Sequence, residues 1–244
     1  MEVARTLLAF ALIGLALWLF GRQAVSHQVS ESLPIRYVRT EGVFQYLSKD
    51  ELKAALMPLV TVGIIEADMQ KIHTTVGNLP WVKNVTVERV WPDTIDIKVS
   101  ERKAYVRWGQ NSLLTENGEI FSPSNVDQFQ SLLLLEGPKN QEAKTLEIMK
   151  GVKTALDDQA LELAEFYVNG REAWTLKLKT GLEIVLGRTG QLKKLQRFLD
   201  TLPILGQDKL AAMQVVDLRY PNGYAVSWKP EMEAIDWGKP QTQE

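Results

Sequence analysis

The chain has 244 residues, of which 45% are hydrophobic and 24% charged, with a formal net charge of -2 and no cysteine. This composition is that of a folded globular protein, long enough for one large domain or two small ones. The balanced charge offers no basic stripe for a phosphate backbone, so nucleic acid is not expected as a partner. The lack of cysteine excludes disulfides, thiolate zinc sites and catalytic thiols.

The first element is an uncharged apolar run from Leu7 to Gly21, bounded by Arg5 and Arg22. Extended over residues 6–25, this run can cross a bilayer as a helix if the flanking arginines reach toward the two interfaces. The sequence therefore predicts a transmembrane helix over 6–25. The side chains expected in the membrane are Leu7, Leu8, Phe10, Leu12, Ile13, Leu15, Leu17, Trp18, Leu19 and Phe20.

A cleaved secretory signal is the competing interpretation of this run, because Ala24 and Ser26 are small residues close behind it. The basic groups on its two sides are nearly matched, so the positive-inside rule barely decides its orientation. Residues 26–34 are polar and unpatterned, and they are predicted to be a linker.

The segment that follows reads as strand, helix, helix and hairpin. A strand is predicted over 35–43, and Ser48 with Glu51 forms a capping-box pattern at the start of a helix. A second short helix is predicted over 68–77, with the aspartate at its start as N-cap. Residues 81–102 alternate apolar and polar side chains on both sides of Trp-Pro-Asp, which is typical of a hairpin. We expect both helices to cover one face of a three-stranded sheet.

From residue 104 the pattern changes to short strands with interspersed helices. LLTENGEIF, residues 113–121, predicts a tight hairpin with Asn-Gly at its tip. Helices are predicted over 141–156 and 191–202, each with one apolar face. The strict alternation over 174–187 predicts a half-buried antiparallel sheet, which these helices would cover. The fold class is therefore α+β.

The last patterned stretch is VVDLRYPNGYAVSWKPE, residues 215–231. Two alternating runs on either side of Asn222-Gly223 predict a terminal hairpin with a tight turn. Such a hairpin either closes a core or leaves an edge open to another chain. If the edge is open, proline at Ala225 or Ser227 is the variant that the sequence alone suggests for blocking it.

No catalytic, cofactor or metal site is expected. The two histidines, His27 and His73, have no catalytic motif around them. GRTG, residues 187–190, follows a strand and precedes a helix, but it lacks the spacing and the Lys-Ser or Lys-Thr of a phosphate loop, and a tight turn is predicted. The basic residues of the helix behind it, Lys193, Lys194 and Arg197, are interpreted as the ordinary outer face of an amphipathic helix.

Taken in order, these parts resemble the FtsQ/DivIB family, single-pass bacterial cell-division proteins with a POTRA domain followed by a β-domain. IRYVRTEGVFQYLSKDELKAAL and NLPWVKNVTVERVWPDTIDIKVSERKAYVRW are similar to the POTRA blocks. LLTENGEIF, WTLKLKTGLEIVLGRTGQLKKLQRFL and VVDLRYPNGYAVSW are similar to the β-domain blocks in the family's order. The chain departs from the family in having only five residues before its apolar run, where members usually carry a longer basic segment.

The resemblance implies an organisation of six segments. These are a short cytoplasmic tail over 1–5, a transmembrane helix over 6–25, a linker over 26–34, a β-α-α-β-β POTRA domain over 35–103, an antiparallel β-domain over 104–230 and a flexible tail over 231–244. It also implies a cell inner-membrane protein of the division septum, with its amino terminus in the cytoplasm and most of the chain in the periplasm.

The function implied by the resemblance is that of a non-enzymatic scaffold that links early and late division proteins. The POTRA domain and membrane segment would contact other divisome proteins, and the β-domain would bind FtsB and FtsL, with FtsB adding a strand beside the last β-strand. The residues that match the family's contact region are Arg219, Tyr220, Asn222, Tyr224, Ala225, Val226, Ser227 and Trp228. The alternative left open is an exported ligand-binding or secretion and assembly POTRA protein with a cleaved signal.

Overall fold

The computed structural model describes residues 33–230, in two compact units that divide between Arg102 and Lys103. The predicted transmembrane helix over 6–25 and the predicted flexible tail over 231–244 lie outside the described residues. Within 33–230, no helix is both long enough and apolar enough to span a bilayer.

The first unit has the predicted order of strand, two helices and hairpin. Its elements are β1 (Tyr37–Glu41), α1 (Lys49–Leu56), a 3-10 turn (Met57–Leu59), α2 (Met69–Gly77), β2 (Val82–Val90) and β3 (Thr94–Glu101). The sheet order is β1-β3-β2, with β1 parallel and β2 antiparallel to β3. This is the β-α-α-β-β arrangement expected of a POTRA domain.

Local sequence explains where these helices begin. The Ser48 side chain accepts hydrogen bonds from the backbone N–H groups of Asp50 and Glu51, as an N-cap does. The Asp68 carboxylate accepts from the N–H of Lys71 and caps α2 in the same way. Both predicted helix starts are therefore confirmed.

The core of this unit lies between the helices and one face of the sheet. Ile95, Ile97 and Val99 alternate along β3 and are buried, while Lys98 and Ser100 between and beyond them are exposed. Residues of α1 and α2 meet this face with their buried positions, which are Leu52, Leu56, Ile72 and Val76. The opposite sheet face is polar, as the alternation predicted.

The second unit is built on one nine-stranded sheet. Its strands are β4 (Val106–Trp108), β5 (Ser112–Leu114), β6 (Ile120–Phe121), β7 (Leu134–Glu136), β8 (Leu163–Val168), β9 (Trp174–Leu178), β10 (Glu183–Gly187), β11 (Met213–Asp217) and β12 (Ala225–Trp228). Its helices are a 3-10 turn (Val126–Phe129), α3 (Glu142–Asp157), α4 (Gln191–Leu199), α5 (Leu202–Leu205) and α6 (Gln207–Ala212). The strand order is β12-β11-β10-β9-β8-β7-β4-β5-β6.

The prediction of a purely antiparallel sheet is wrong, because the sheet is mixed. β10 pairs parallel with β11, and β7 pairs parallel with both β4 and β8. Parallel neighbours need long crossover connections, which α3 supplies between β7 and β8 and α4 to α6 supply between β10 and β11. The predicted hairpins of β5 with β6 and of β9 with β10 are antiparallel, as expected.

The helices cover the apolar sheet face, as predicted. Leu146, Met149, Val152 and Leu156 of α3 are all buried, at the helical spacing that the sequence shows. Leu195, Phe198 and Leu199 of α4 are buried in the same core. Buried side chains of β8 to β11 complete this core, and Val226 and Trp228 of β12 pack against it.

The GRTG segment is the tight strand-to-helix turn that was predicted. Gly187 ends β10 with φ 74° and Gly190 is the N-cap of α4 with φ 63°. Both conformations are left-handed, which glycine adopts without a steric penalty.

Candidate protein-docking site

Strand β12 lies at one end of the nine-stranded sheet. Within residues 33–230 its single strand neighbour is β11, with which it pairs antiparallel in the register Val216 to Val226 and Asp217 to Ala225. The predicted terminal hairpin is therefore present, and one edge of β12 faces away from the sheet. Edge strands carry a row of backbone donors and acceptors that another chain can pair with.

The backbone direction of β12 follows from one hydrogen bond. The N–H of Lys229 donates to the carbonyl of Ala212 at 2.9 Å, so Lys229 points toward β11. Backbone groups two residues apart on a strand point the same way, so Ser227 and Ala225 also point toward β11. The irregularity between Met213 and Val215 places the extra residue on β11, so the alternation along β12 is unbroken.

It follows that the N–H and C=O groups of Val226 and Trp228 face the outer edge. The sequence alone suggested proline at Ala225 or Ser227 to block that edge, but in the structure those two N–H groups point inward and hold β12 to the sheet. Proline at Val226 is the variant that removes an outward donor. Pro230, two residues beyond Trp228, has no N–H in the outward row.

The side chains of β12 divide between the two faces of the sheet. Val226 and Trp228 are partly buried and pack against the core of the second unit, while Ala225 and Ser227 are exposed. Tyr224, just before the strand, packs edge-on against Phe198 with ring centroids 5.4 Å apart. Its hydroxyl lies 2.9 Å from the hydroxyl of Thr201. The strand is therefore anchored by its apolar side chains while its outer backbone edge faces outward.

The connection between β11 and β12, residues 218–224, is longer than the tight Asn-Gly turn predicted from sequence. Neither Asn222 nor Gly223 is among the described residues with positive φ, which a two-residue type I′ turn would require at both positions. Leu218 at its start is buried, and its N–H donates to the carbonyl of Val185 at 2.8 Å. Arg219, Tyr220 and Asn222, three of the predicted contact residues, are exposed on this loop.

Two basic side chains of α4 hold this loop by its backbone. The Arg197 guanidinium donates to three carbonyls, those of Pro221 at 2.5 Å, Tyr220 at 3.1 Å and Gly223 at 3.2 Å. Lys194 Nζ donates to the carbonyl of Arg219 at 3.4 Å. Hydrogen bonds from a charged donor are stronger than neutral ones, so Arg197 fixes the shape of the loop.

An ion pair fixes the first part of the loop. Arg219 Nε lies 2.9 Å from both carboxylate oxygens of Asp217, and Arg219 Nη2 lies 2.6 Å from Oδ2. The Arg219 N–H also donates to Oδ1 at 3.0 Å. Hydrogen bonds from Arg219 lower the pKa of Asp217 below its usual range, although partial burial opposes the shift. The carboxylate is therefore ionised at neutral pH.

Gly187 provides the space in which Arg219 lies. A Cβ atom at this position would stand 3.0 Å from Arg219 Cγ, closer than most real contacts of that kind. Gly187 therefore serves both the strand-to-helix turn and the loop 218–224.

Lys193, Lys194 and Arg197 lie on the outer face of α4 as interpreted, but two of them do more than face solvent. Lys194 and Arg197 both reach loop carbonyls more than twenty residues away along the chain. The only sequence signal was their position on the polar side of α4, which does not distinguish a solvated cation from one that binds backbone. Of the predicted contact residues, the structure brings all eight into one loop and strand, and Arg197, Lys194 and Gly187 are the supporting residues that sequence reasoning missed.

Catalytic groups are not assembled at this site. Over residues 33–230, no group of three or more acidic, histidine or cysteine side chains has an arrangement that could hold a metal ion. His73 is exposed on α2, in the other unit. The site consists of a backbone edge and a loop shaped by hydrogen bonds, which suits protein binding.

Known proteins resemble both units. The family model "POTRA domain, FtsQ-type" matches residues 33–102, and the model "Cell division protein FtsQ/DivIB, C-terminal" matches residues 104–219, ending just before β12. The cell division protein FtsQ of Methylomonas methanica is 48% identical over 228 residues, 93% of this chain and 92% of that protein. FtsQ of Allochromatium vinosum is 32% identical over 93% of this chain and 88% of its own length, and FtsQ of Coxiella burnetii is 30% identical over 82% of each.

The fold defines a protein that combines a POTRA domain with a second, mixed α+β domain. The comparisons specify which one: the chain belongs to the FtsQ family of bacterial cell division proteins. As a member of a family of divisome components, it acts through protein partners in cell division and not as an enzyme.

Proposed function

We propose that this chain is a scaffold of the divisome that binds FtsB, together with FtsL, by accepting a strand of FtsB along the outer edge of β12. The single observation that carries the proposal is the outward-facing backbone of Val226 at the end of the sheet, beside a loop that Arg197 holds in place. Strand addition of this kind takes its affinity from main-chain hydrogen bonds and its specificity from neighbouring side chains.

The loop and the strand have different parts in this proposal. Backbone groups of β12 would bind the partner strand, while Ala225 and Ser227 would face its alternate side chains. Arg219, Tyr220 and Asn222 are exposed on the adjacent loop. They would contact the partner outside the row of main-chain hydrogen bonds that joins the added strand to β12. Tyr220 is 55% exposed and would offer its aromatic ring to the partner.

The proposal includes anchoring in the cell inner membrane through residues 6–25, with the amino terminus in the cytoplasm, the remaining chain in the periplasm and the protein at the septum. The apolar run from Leu7 to Gly21 supports the anchor. Membrane fractionation and the intact mass of the mature protein test it. A soluble protein shortened at its amino terminus would contradict the anchor without affecting the docking edge.

The test of the docking edge compares Val226→Pro with Val226→Ala in the purified full-length protein, using the periplasmic part of FtsB. Proline removes the outward N–H and places its ring where the partner strand would lie, so the affinity is expected to fall roughly tenfold to a hundredfold. Alanine keeps the backbone N–H but removes the part of the Val226 side chain that packs against the core, so it controls for the loss of that packing. It is expected to bind FtsB within about threefold of the parent, because the ladder is intact.

A folding control separates a lost edge from a lost domain. Ser227→Pro removes an N–H that faces β11, so it is expected to lower the free energy of unfolding by about 2 kcal/mol, whereas Val226→Pro retains that bond. Equal binding by the two Val226 variants, both folded, would reject strand addition. The same series with an FtsB–FtsL complex tests whether FtsL changes the outcome, and filamentation of cells carrying Val226→Pro is the expected phenotype.

A further inference from the structure

An apolar groove lies beside β1 in the first unit. Its volume is about 340 Å³, and its lining is mostly apolar. The lining residues are Val38, Thr40, Phe44, Lys49, Leu52, Lys53, Leu56, Met57 and Val60. The groove is thus bounded by β1 on one side and by α1 with its following 3-10 turn on the other.

The backbone of β1 presents an edge at this groove. Within the described residues, β1 ends the order of the three-stranded sheet and pairs with β3 alone. The N–H groups of Arg36 and Tyr37 both donate to the carbonyl of Asp93, at 2.9 and 3.3 Å. Only Tyr37, which pairs with Thr94, is in the parallel register, so its backbone groups point toward the β3 side. Those of Val38 and Thr40, which alternate with Tyr37 and Arg39, then point outward.

The side chains of the same two residues line the groove. A strand added beside β1 would therefore form hydrogen bonds with Val38 and Thr40, and every second side chain of that strand would be placed over the groove. The apolar lining next to these positions includes Phe44 and Met57, and Met57 is 51% exposed. Apolar side chains of an added strand would cover this surface.

The charges at the groove are of one sign. Lys49 and Lys53, one turn apart on α1, are exposed, and no acidic residue is among the lining residues. Neither lysine forms an ion pair within residues 33–230, whereas Arg39 on the opposite sheet face pairs with Asp96 at 3.4 Å. The complement of this groove is thus an apolar segment that also carries carboxylates.

We propose that the groove binds an extended segment of a second protein, which adds a strand to β1, places alternate apolar side chains over the groove and pairs a carboxylate with Lys49 or Lys53. The inference goes beyond the proposed function, because it concerns the first unit and no residue of β12. Main-chain hydrogen bonds would provide affinity. The apolar groove would favour apolar side chains at every second position of the bound strand, and the lysines would favour a negatively charged residue in it.

The experiment uses two capped synthetic peptides, Thr-Val-Thr-Ile-Thr-Val-Glu-Glu and the same peptide ending in Lys-Lys, with the purified full-length protein. The acidic peptide is expected to bind at least tenfold more tightly, as judged by fluorescence anisotropy. The double variant Lys49→Glu with Lys53→Glu is expected to reverse that preference. The matched control, Lys71→Glu with Lys83→Glu, makes the same change in net charge elsewhere in the unit and is expected to leave the preference unchanged.

The edge itself is tested by Thr40→Pro against Thr40→Ala. Proline removes the outward N–H and is expected to weaken the acidic peptide at least fivefold, whereas alanine is expected to stay within twofold. Equal affinity of the two peptides, or equal binding by the two folded Thr40 variants, would overturn the proposal. Self-association in sedimentation that the Lys49 and Lys53 reversals abolish would also overturn it, because the occupant would then be a second copy.

Failure here is distinguishable from failure of the proposed function. Val226→Pro is expected to bind the acidic peptide as the parent does, and the Lys49 and Lys53 variant is expected to bind FtsB as the parent does. Loss of both activities in one variant would indicate unfolding, which thermal denaturation detects directly.

Discussion

The two edge strands, β1 in the first unit and β12 in the second, offer the same backbone chemistry in different surroundings. Beside β1 lies an apolar groove with two lysines that have no ion-pair partner among the described residues. Beside β12 lies a loop whose carbonyls are already bound by Arg197 and Lys194. In the second unit the cations shape the surface, whereas in the first they remain available to a ligand. Identical strand edges can therefore differ in specificity through the side chains next to them.

The largest expected effect breaks the β1 edge alone. Gly42 follows β1 with φ 153°, and a Cβ atom there would stand 2.4 Å from the Val99 carbonyl oxygen. Gly42→Ala must displace backbone, so we expect the first unit to lose about 3 kcal/mol of stability. Hydrogen exchange of the β3 amides in the full-length protein measures this loss.

The control for this variant is Gly77→Ala in the same unit, at the last residue of α2. Its nearest contact would be an ordinary 3.6 Å from the Val85 side chain, and its φ is not positive. We expect little change or a small gain in stability. If Gly42→Ala also weakens FtsB binding while the second unit stays folded, the two edges do not act independently.

An intermediate effect is expected when the loop beside β12 is released. Arg197→Ala removes three hydrogen bonds to loop carbonyls, so the loop must be ordered when a partner binds. We expect about a tenfold loss of affinity for FtsB, which is about 1.4 kcal/mol, and faster hydrogen exchange over residues 219–223. Arg197→Lys keeps the charge but not the forked geometry and should recover only part of the affinity.

Arg197→Ala tests whether the β1 and β12 edges act independently, because it changes the loop beside β12 and leaves β1 unaltered. Binding of the acidic peptide at the β1 groove should be unchanged by Arg197→Ala. An affinity for FtsB within twofold of the parent, together with faster exchange in the loop, would show that loop order does not contribute to docking.

The smallest effect concerns pH and the Asp217–Arg219 pair. The pKa of Asp217 is lowered in the folded protein, so its stabilisation is fully present above the ordinary aspartate pKa of about 3.9 and is lost as pH falls through the lower folded pKa. Between about pH 5 and 8 we therefore expect a constant difference in unfolding free energy between the parent and Asp217→Asn.

Below about pH 4 that difference should shrink, because the parent carboxylate becomes protonated as well. Urea unfolding at a series of pH values measures it. A difference that instead grows toward acid would mean that the pKa of Asp217 is raised and that the ion pair does not stabilise the loop.

Sequence reasoning succeeded where a local pattern determines the structure. The strand pair β2 and β3 and the N-caps at Ser48 and Asp68 could be predicted, because alternation and capping depend on residues that are close together in sequence. The parallel neighbours were missed, since β4 and β7 have three residues each and their pairing is set by long-range crossovers.

The candidate docking site was likewise predictable only in part. Side-chain alternation predicted correctly that Val226 and Trp228 pack inward, but the face on which a side chain lies does not reveal the edge toward which its N–H points. That direction depends on the register with β11 and on the extra residue between Met213 and Val215. The role of Arg197 was equally hidden, because its partners are backbone carbonyls, which have no residue-type signature.

Pro230 limits the length of the β12 edge. An incoming strand that slid past Trp228 would meet a residue with no donor to offer and a ring in its path. Misaligned pairing would then lose hydrogen bonds with each step, so one register is favoured over its neighbours. Proline at this position also shortens the row of donors available to the edge of another sheet, which is one way in which edge strands avoid unwanted pairing.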